Sequence, residues 1–157
     1  SKDVVGQGFT TKISVIIQNQ GKLTETLSLF VCANATVIQS ENITLASGAV
    51  TPVVFEWNTL GFAKGFYNIS AVADAVWGET DREDNTFVYR SVRVVKAGDF
   101  GTLSWGFYDF DDQCDYQDVF LFADAYTREY HLLCDFDDDQ DVDFTDLFHL
   151  INCYTSL

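Results

Sequence analysis

The feature that most constrains this chain is an acidic stretch near its end, from Asp135 to Leu147. Carboxylates this close repel one another by about 1 kcal/mol per pair at 4 Å in water, and by more when they are partly buried. A compact fold of this stretch therefore needs a cation, and the alternative is a solvated acidic run. The aspartates fall at positions 1, 3, 5, 7, 9 and 12 of a twelve-residue window: Asp135, Asp137, Asp139, Asp141, Asp143 and Asp146.

This spacing matches the ligand positions of an EF-hand calcium loop, which coils so that alternate side chains face the ion. The apolar Val142 at position 8 and the phase of the aspartates favour Ca²⁺ binding over a solvated run. Two residues depart from the pattern. Gln140 stands where glycine normally makes the turn, and a positive φ there costs about 1–2 kcal/mol, which ion binding has to offset. Asp146, at position 12, is one methylene shorter than the usual glutamate.

The acidic pattern occurs twice. Phe107–Tyr126 aligns without gaps on Asp135–Tyr154, which indicates a duplicated supersecondary unit. Each loop leads into a short apolar helix, predicted over 118–126 and 145–154, and the two helices are expected to share one small core. The predicted ligands of the first copy are Asp109, Asp111, Asp115 and Asp118.

The first loop departs further from the pattern. In the gapless alignment Phe107 replaces the first aspartate and Asp112 replaces the turn glycine. If Asp109 takes position 1 instead, the loop is too short. Both alignments predict a first site that is weaker or differently built.

Two tandem D-x-D-x-D…D-L-x-x-F-like loop–helix repeats within 98–157 resemble a type I dockerin. The resemblance implies a calcium-dependent fold and a cohesin module as partner, bound through the helix residues just after each loop. Many dockerins carry small hydroxyl residues there, whereas this chain has Tyr116-Gln117 and Phe144-Thr145.

Residues 1–97 have the pattern of short strands separated by turns, with no helical period. We therefore predict a β-sandwich over 1–97, a linker over 98–106 and a small α domain of two EF-hand-like loop–helix repeats over 107–157. The predicted strands are 9–18, 27–34, 36–45, 50–57, 66–76 and 87–95.

Four groups of landmarks in this region carry a second resemblance: Asn19-Gln20-Gly21, Phe55-x-Trp57-Asn58, Gly65-x-Tyr67-x-Ile69 and Glu79-x-Asp81-x-x-Asp84-Asn85. Their order is similar to that of Ig-like domains of the cell-adhesion-related (CARDB) type from archaeal and bacterial surface proteins. Such domains act as extracellular spacers, adhesion modules and binding modules. In that family a strand normally precedes the segment seen here as 1–8. Its absence predicts either a strand that was cut away or an exposed sheet edge.

An exposed edge has a consequence for assembly. Unpaired edges recruit strands from neighbouring molecules. A head-to-tail repeat of that contact would build a fibre.

The cysteines leave several disulfide pairings open, whereas the sequons and the calcium loops indicate an extracellular location. Four cysteines without C-x-x-C spacing argue against a zinc site and allow three full disulfide pairings. We favour a bridge between Cys134 and Cys153 or between Cys114 and Cys134, with Cys32 buried in a strand. Three N-x-[ST] sequons predict a glycosylated surface, at Asn34, Asn42 and Asn68. Since cytosolic calcium is scarce, the calcium loops agree with an extracellular or cell-surface location.

Negative charge is concentrated in the C-terminal part of the chain. Residues 1–97 are close to neutral, with 8 basic and 9 acidic side chains, whereas 98–157 carry 1 basic and 15 acidic ones. An acidic surface of this kind excludes nucleic acid as a partner, because nucleic-acid binding needs a basic footprint. No apolar run of about 20 residues predicts a membrane span.

The sequence has no catalytic constellation, so we predict a non-enzymatic protein. Three functions remain open. The first is a calcium-stabilised extracellular module that self-assembles into surface structures such as a filament. The second is a dockerin-type anchor for a cohesin-like module, and the third is a carbohydrate-binding accessory module that uses surface aromatics: Trp57, Trp77, Trp105, Tyr67 and Tyr108.

Overall fold

The computed structural model describes residues 3–99, 102–104, 107–127 and 134–155, and only the backbone of 102–104, 107–109 and 153–155. The chain is mostly β with two short helices, which confirms the coarse fold prediction. The elements are β1 (Val4–Gly6), β2 (Thr10–Gln18), β3 (Glu25–Ala33), β4 (Thr36–Leu45), β5 (Val50–Asn58), β6 (Gly65–Ala73), β7 (Thr86–Val95), β8 (Thr102–Ser104), β9 (Phe107–Asp109), α1 (Tyr116–Thr127) and α2 (Phe144–Thr155).

The long strands form two sheets. One has five strands in the order β1-β7-β6-β3-β4, and the other contains β2 and β5. β3 is antiparallel to both β4 and β6, whereas β1 is parallel to the end of β7, where Val4 faces Arg93 and Gly6 faces Val95. β8 and β9 form a separate antiparallel pair within the predicted linker and the start of the first loop.

Period-two alternation explains why these segments are strands. In β5 the side chains of Val53, Phe55 and Trp57 are buried while the residues between them are exposed. The Trp57 ring meets Tyr67 edge to face, with centroids 5.7 Å apart. Trp57 is therefore a core residue, which corrects its place among the predicted surface aromatics.

A buried asparagine fixes the predicted turn after β2. The Asn19 side chain donates to the carbonyls of Leu23 (2.8 Å) and Leu45 (3.0 Å), and its Oδ1 accepts the Gly21 N–H at 2.9 Å. A Cβ on Gly21 would lie 3.0 Å from that Oδ1, so the turn favours glycine at this position. The Asn19-Gln20-Gly21 turn signal is confirmed.

The chain divides into two compact units that do not follow its order in the sequence. The first unit contains Lys12–Trp57 and Tyr67–Val92, and the second contains Lys2–Thr11, Asn58–Phe66 and Arg93–Leu157. The domain boundaries inferred from the sequence stay a prediction.

The second unit has an apolar core built from both repeats. Phe122 and Leu150 occupy equivalent places of α1 and α2, and both are buried in it. Phe9 borders this core, with its ring centroid 4.8 Å from that of Phe136 and 5.0 Å from that of His149. The predicted small core shared by two helices is thus present. Its buried members are Cys114, Phe122, Ala125, Cys134, Phe136 and Leu150.

Candidate metal centre

The second loop brings its six predicted ligands into two groups of three. Within each group, one carboxylate oxygen from every member lies within 4.8 Å of the others. The first and last ligands, Asp135 and Asp146, are only 1% and 0% exposed, whereas the others are more open to solvent. The groups are Asp135, Asp137 and Asp139, and Asp141, Asp143 and Asp146.

Backbone N–H groups hold the two buried carboxylates in place. Asp135 accepts the N–H groups of Asp139 and Gln140, each at 3.2 Å. Asp146 accepts those of Phe136 at 2.5 Å and Asp143 at 2.9 Å. These bonds join the two ends of the loop and orient its carboxylates.

The turn in the middle of the loop has the conformation that the sequence predicted. Gln140 has φ of +79° and Asp138 has φ of +62°, both in the left-handed region. The positive φ predicted at Gln140 is therefore present, and such a conformation costs a non-glycine residue about 1–2 kcal/mol.

Desolvation, together with the charges of neighbouring loop carboxylates, raises the pKa of Asp137 and of Asp141. In both cases desolvation is the largest cause, the charge of Asp139 comes next, and the charges of other loop carboxylates follow. A raised carboxyl pKa means that the folded loop disfavours its own ionised form. A bound cation would remove this penalty, because it neutralises the repelling charges.

The first loop repeats three hydrogen bonds of the second at the same offset. Asp111 Oδ1 accepts a hydrogen bond from the backbone N–H of Gln113 at 2.9 Å. Asp115 Oδ1 accepts one from the backbone N–H of Gln117 at 2.8 Å, and Asp118 Oδ2 accepts one from the backbone N–H of Asp115 at 2.8 Å. In the second loop these bonds are made by Asp139 (3.0 Å), Asp143 (2.6 Å) and Asp146 (2.9 Å).

Asp99 takes over one role of the missing first aspartate. Its Oδ2 accepts the Asp112 N–H at 2.8 Å, as Asp135 does for Gln140 in the second loop. Asp99 is buried, and Asp112 has φ of +69°, like its counterpart Gln140. Sequence reasoning missed Asp99 because it lies outside the repeat. The sequence did offer one signal for Asp99, because it is the one charged residue in the otherwise uncharged segment between Lys96 and Asp109.

The first loop does not gather three carboxylates among the described side chains. Asp109 and Phe107 fall where only the backbone is described, so the predicted first site stays a prediction. Elsewhere in the second unit, Lys64 forms an ion pair with Asp112, and the Arg93 guanidinium lies 4.8 Å from the centre of the Phe110 ring.

The cysteine prediction needs a correction. Cys114 and Cys134 are buried thiols outside any disulfide, and both pack in the core of the second unit. Neither is bridged, while the side chain of Cys153 lies outside the described part. Burial, followed by the charges of Asp146 and Asp118, raises the pKa of Cys134 to about 12, which keeps the thiol protonated.

All three predicted glycosylation sites are exposed. Asn34 lies in the turn between β3 and β4, where its Oδ1 accepts the Asn68 N–H at 2.9 Å. Asn42 accepts from the Ser28 hydroxyl at 2.9 Å, and Asn68 accepts from the Ser91 hydroxyl at 2.6 Å. Each Oδ1 is engaged in a hydrogen bond, and each asparagine lies on a strand or turn that faces solvent.

No family model matches the sequence, and no curated protein matches it either. The fold is similar to two solved structures of one CARDB domain from Pyrococcus furiosus. Its crystal structure, in complex with di-metal ions, is 23% identical and matches 60% of this chain and 86% of that one, with a TM-score of 0.53. The solution structure of the same domain is 25% identical and matches 59% of this chain and 86% of that one, with a TM-score of 0.50.

These comparisons support the CARDB-type Ig-like fold. A third match, to a domain from Methanosarcina acetivorans described as part of a cell surface protein, has a TM-score of only 0.48 at 21% identity and carries no argument. It matches 59% of this chain and 83% of that one. Within the described residues, no helix is long and apolar enough to cross a membrane.

Proposed function

We propose that this chain is a non-catalytic, extracellular module whose dockerin-like second unit is stabilised by Ca²⁺ and which builds surface assemblies, including fibres made by strand complementation. The observation that carries the metal part is the gathering of the six predicted loop ligands into two groups of three carboxylates, with one buried aspartate at each end of the loop. This donor set fits a hard cation, because every side-chain ligand is a carboxylate oxygen.

Calcium suits this loop better than magnesium. Ca²⁺ accepts roughly six to eight oxygen ligands in flexible geometry, whereas Mg²⁺ demands a near-octahedral arrangement and keeps several waters. The loop offers six carboxylates, more than a magnesium site of this kind uses. Calcium would neutralise the repulsion that raises the pKa of Asp137 and Asp141.

The chemistry of the surface supports an extracellular location. The three exposed sequons are compatible with glycosylation. Calcium outside cells is abundant enough to occupy sites of modest affinity, and sites in extracellular modules typically bind at about 10⁻⁴–10⁻³ M.

The metal proposal is tested by a matched pair of Asp→Asn variants in the second loop. Asp146→Asn removes the charge of a buried ligand, and we expect calcium affinity by isothermal titration calorimetry to fall about tenfold or more. Asp138→Asn removes the same charge within the same loop but outside both carboxylate groups, and asparagine tolerates its positive φ. Equal affinities for the two variants, or no heat of binding in the unaltered chain, would refute the calcium site.

A second candidate function is a dockerin-type anchor, and the exposed aromatics of the two helices favour it. Tyr116 and Phe120 on α1 match Phe144 and Phe148 on α2 at the repeat offset, and all four are exposed. A calcium-dependent complex with a cohesin module, lost in Phe144→Ala together with Tyr116→Ala, would support this function. Without such a complex across a panel of cohesins, the anchor function is rejected.

A third candidate is carbohydrate binding, which Trp77 favours. Its indole is 96% exposed and borders a cleft of about 640 Å³ that is also lined by Asp84, Glu79 and Gln20. An exposed indole beside polar groups suits stacking on a neutral sugar. Glycan-array binding that disappears in Trp77→Ala would support it, and an array without hits would remove it.

A further inference from the structure

The two-stranded sheet leaves one side of β2 open. Among the strands that the structure describes, β2 pairs with β5 alone. Its inward side chains Ile13, Val15 and Ile17 are only half-buried. The inward side chains of β5 in the same sheet are fully buried: Val53, Phe55 and Trp57. The core is therefore closed beside β5 and incomplete beside β2.

β7 is open over most of its length. Its pairing with β1 covers only Arg93–Val95, and every residue of Thr86–Ser91 is exposed. Val88 shares the inward face with Val92 and Val94 because side chains alternate along a strand. Val88 is nevertheless 61% exposed, whereas Val92 and Val94 are 4% and 1% exposed. Within the described part of the chain, this apolar residue of the inward face is therefore left largely uncovered.

The two open edges lie on the same side of the sandwich. Gln39 of β4 accepts the backbone N–H of Glu56 in β5 at 3.0 Å, which places β5 beside β4. β4 ends the five-stranded sheet opposite β1 and β7, so β2 lies on the β7 side. We call this surface the strand slot. It consists of the unpaired edges of β2 and of Thr86–Ser91, and its apolar floor is formed by Ile13, Val15, Ile17 and Val88.

The charge of the strand slot indicates its partner. The only charged side chains on β2 and on Thr86–Val92 are basic, Lys12 and Arg90. The chain as a whole carries a net charge of −15, concentrated in 98–157. Basic side chains on both open strands favour an acid-rich partner, and a second copy of this chain is acid-rich.

We propose that the strand slot is filled by a β-strand from a second copy of this chain, which pairs with the open edges and covers Ile13, Val15, Ile17 and Val88. This inference rests on the proposed assembly role and names the surface that performs it. Backbone hydrogen bonds supply affinity, and alternate apolar side chains of the incoming strand complete the core. The contact is heterologous, so its repetition extends a filament wherever its rotation does not close into a ring.

A matched pair of Val→Asp variants tests the strand slot. Val88 and Val54 are 61% and 55% exposed, both lie on strands of the first unit, and only Val88 lines the slot. We expect Val88→Asp to weaken self-association by about tenfold or more in sedimentation velocity with calcium, because the incoming strand would bury an unpaired charge. Val54→Asp should associate like the unaltered chain. Equal association of the two variants would overturn the inference.

Hydrogen exchange gives a second readout that needs no substitution. Raising the protein concentration should protect backbone amides in 10–18 and 86–91 as assembly proceeds, while 50–58 stays unchanged. Protection that is already complete at the lowest concentration would show that a segment of the same chain covers the slot, which overturns the inference.

The experiments distinguish a failure of the strand slot from a failure of the proposed assembly role or of the metal site. If the unaltered chain binds calcium but never self-associates, both the strand slot and the assembly role fall while the metal site stands. If it self-associates and neither valine variant nor hydrogen exchange implicates the slot, only this inference falls. If association depends on Val88 but calcium titration shows no binding, the metal proposal falls and the slot stands.

Discussion

At the scale of single residues, the two acidic loops are defined by backbone conformations that most side chains avoid. Gln140 and Asp112 take left-handed conformations at equivalent positions of the two loops, with φ of +79° and +69°. The sequence predicted this turn because the glycine position of a calcium loop is fixed by ligand spacing, and the spacing is local. The strain at Gln140 is therefore a consequence of the loop geometry, which persists where glycine is missing.

Replacing Gln140 with glycine should stabilise the second loop by about 1 kcal/mol, since glycine adopts a positive φ without steric cost. The gain would be measured as a rise in the thermal midpoint in the presence of calcium. Gln113→Gly is the matched control, because Gln113 is equally exposed but has no positive φ. We expect that change to be neutral or destabilising. A stabilising Gln113→Gly would contradict the explanation.

The carboxylate pKa values predict opposite pH responses with and without metal. In the metal-free protein, the raised pKa values of Asp137 and Asp141 destabilise the fold above those values, relative to an ordinary value of 3.8. As the pH falls through the raised values toward 3.8, the folded state binds more protons than the unfolded one, and this penalty is relieved. With calcium bound, acidification instead displaces the ion and lowers stability.

Thermal melts of the second unit at several pH values, with calcium and with a chelator, would test this prediction. Parallel pH profiles in the two conditions would mean that the carboxylates of the loop do not act as metal ligands.

At the scale of elements, the strands followed their predicted positions closely. β4 spans 36–45 as predicted, and the other long strands differ mainly at their ends. Both helices start earlier than the apolar pattern indicated, at Tyr116 and Phe144. The reason is a cap: Asp115 and Asp143 accept the N–H groups of Gln117 and Thr145, so the ninth residue of each loop also begins its helix.

The shared core predicts a difference between neighbouring residues of α2. Leu150 is 2% exposed within the core of the second unit, and Leu150→Ala should destabilise that unit by about 2–5 kcal/mol. Ile151 is half exposed, and Ile151→Ala should cost less than about 1 kcal/mol. Chemical denaturation, monitored by the helical circular dichroism signal, would measure the unfolding free energy of both variants. Equal losses of unfolding free energy in the two variants would show that α2 does not pack into the core through Leu150.

At the scale of the whole molecule, charge and secondary structure are divided in the same way. The nearly neutral region 1–97 forms the long strands, and the acidic remainder contains both helices. This division predicts that only part of the fold depends on calcium. The acidic part gathers like charges that a bound cation would neutralise, whereas the strands bury an apolar core without such a concentration of charge.

A strong chelator should therefore remove helical circular dichroism while the β signal persists. Adding Ca²⁺ back should restore the helices, and Mg²⁺ at the same concentration should restore them less. A spectrum that does not change on chelation would show that the fold of the acidic part is independent of metal.

The sequence by itself determined the features that depend on short-range spacing. These are the strands with their alternation, the tandem acidic repeat, the two loops and the left-handed turn at Gln140. Spacing is sufficient for them because ligand geometry, capping and strand alternation act between residues that are close together in the chain.

Only the tertiary structure decided the features that join distant residues. Asp99 serves the first loop from outside the repeat, Cys114 and Cys134 pack in one core without a bridge, and Trp57 is buried instead of exposed. The uncovered Val88 beside the open edge of β2 likewise emerges only when the strands are ordered in sheets. Strand order and burial depend on contacts between segments far apart in the chain, which local spacing does not encode.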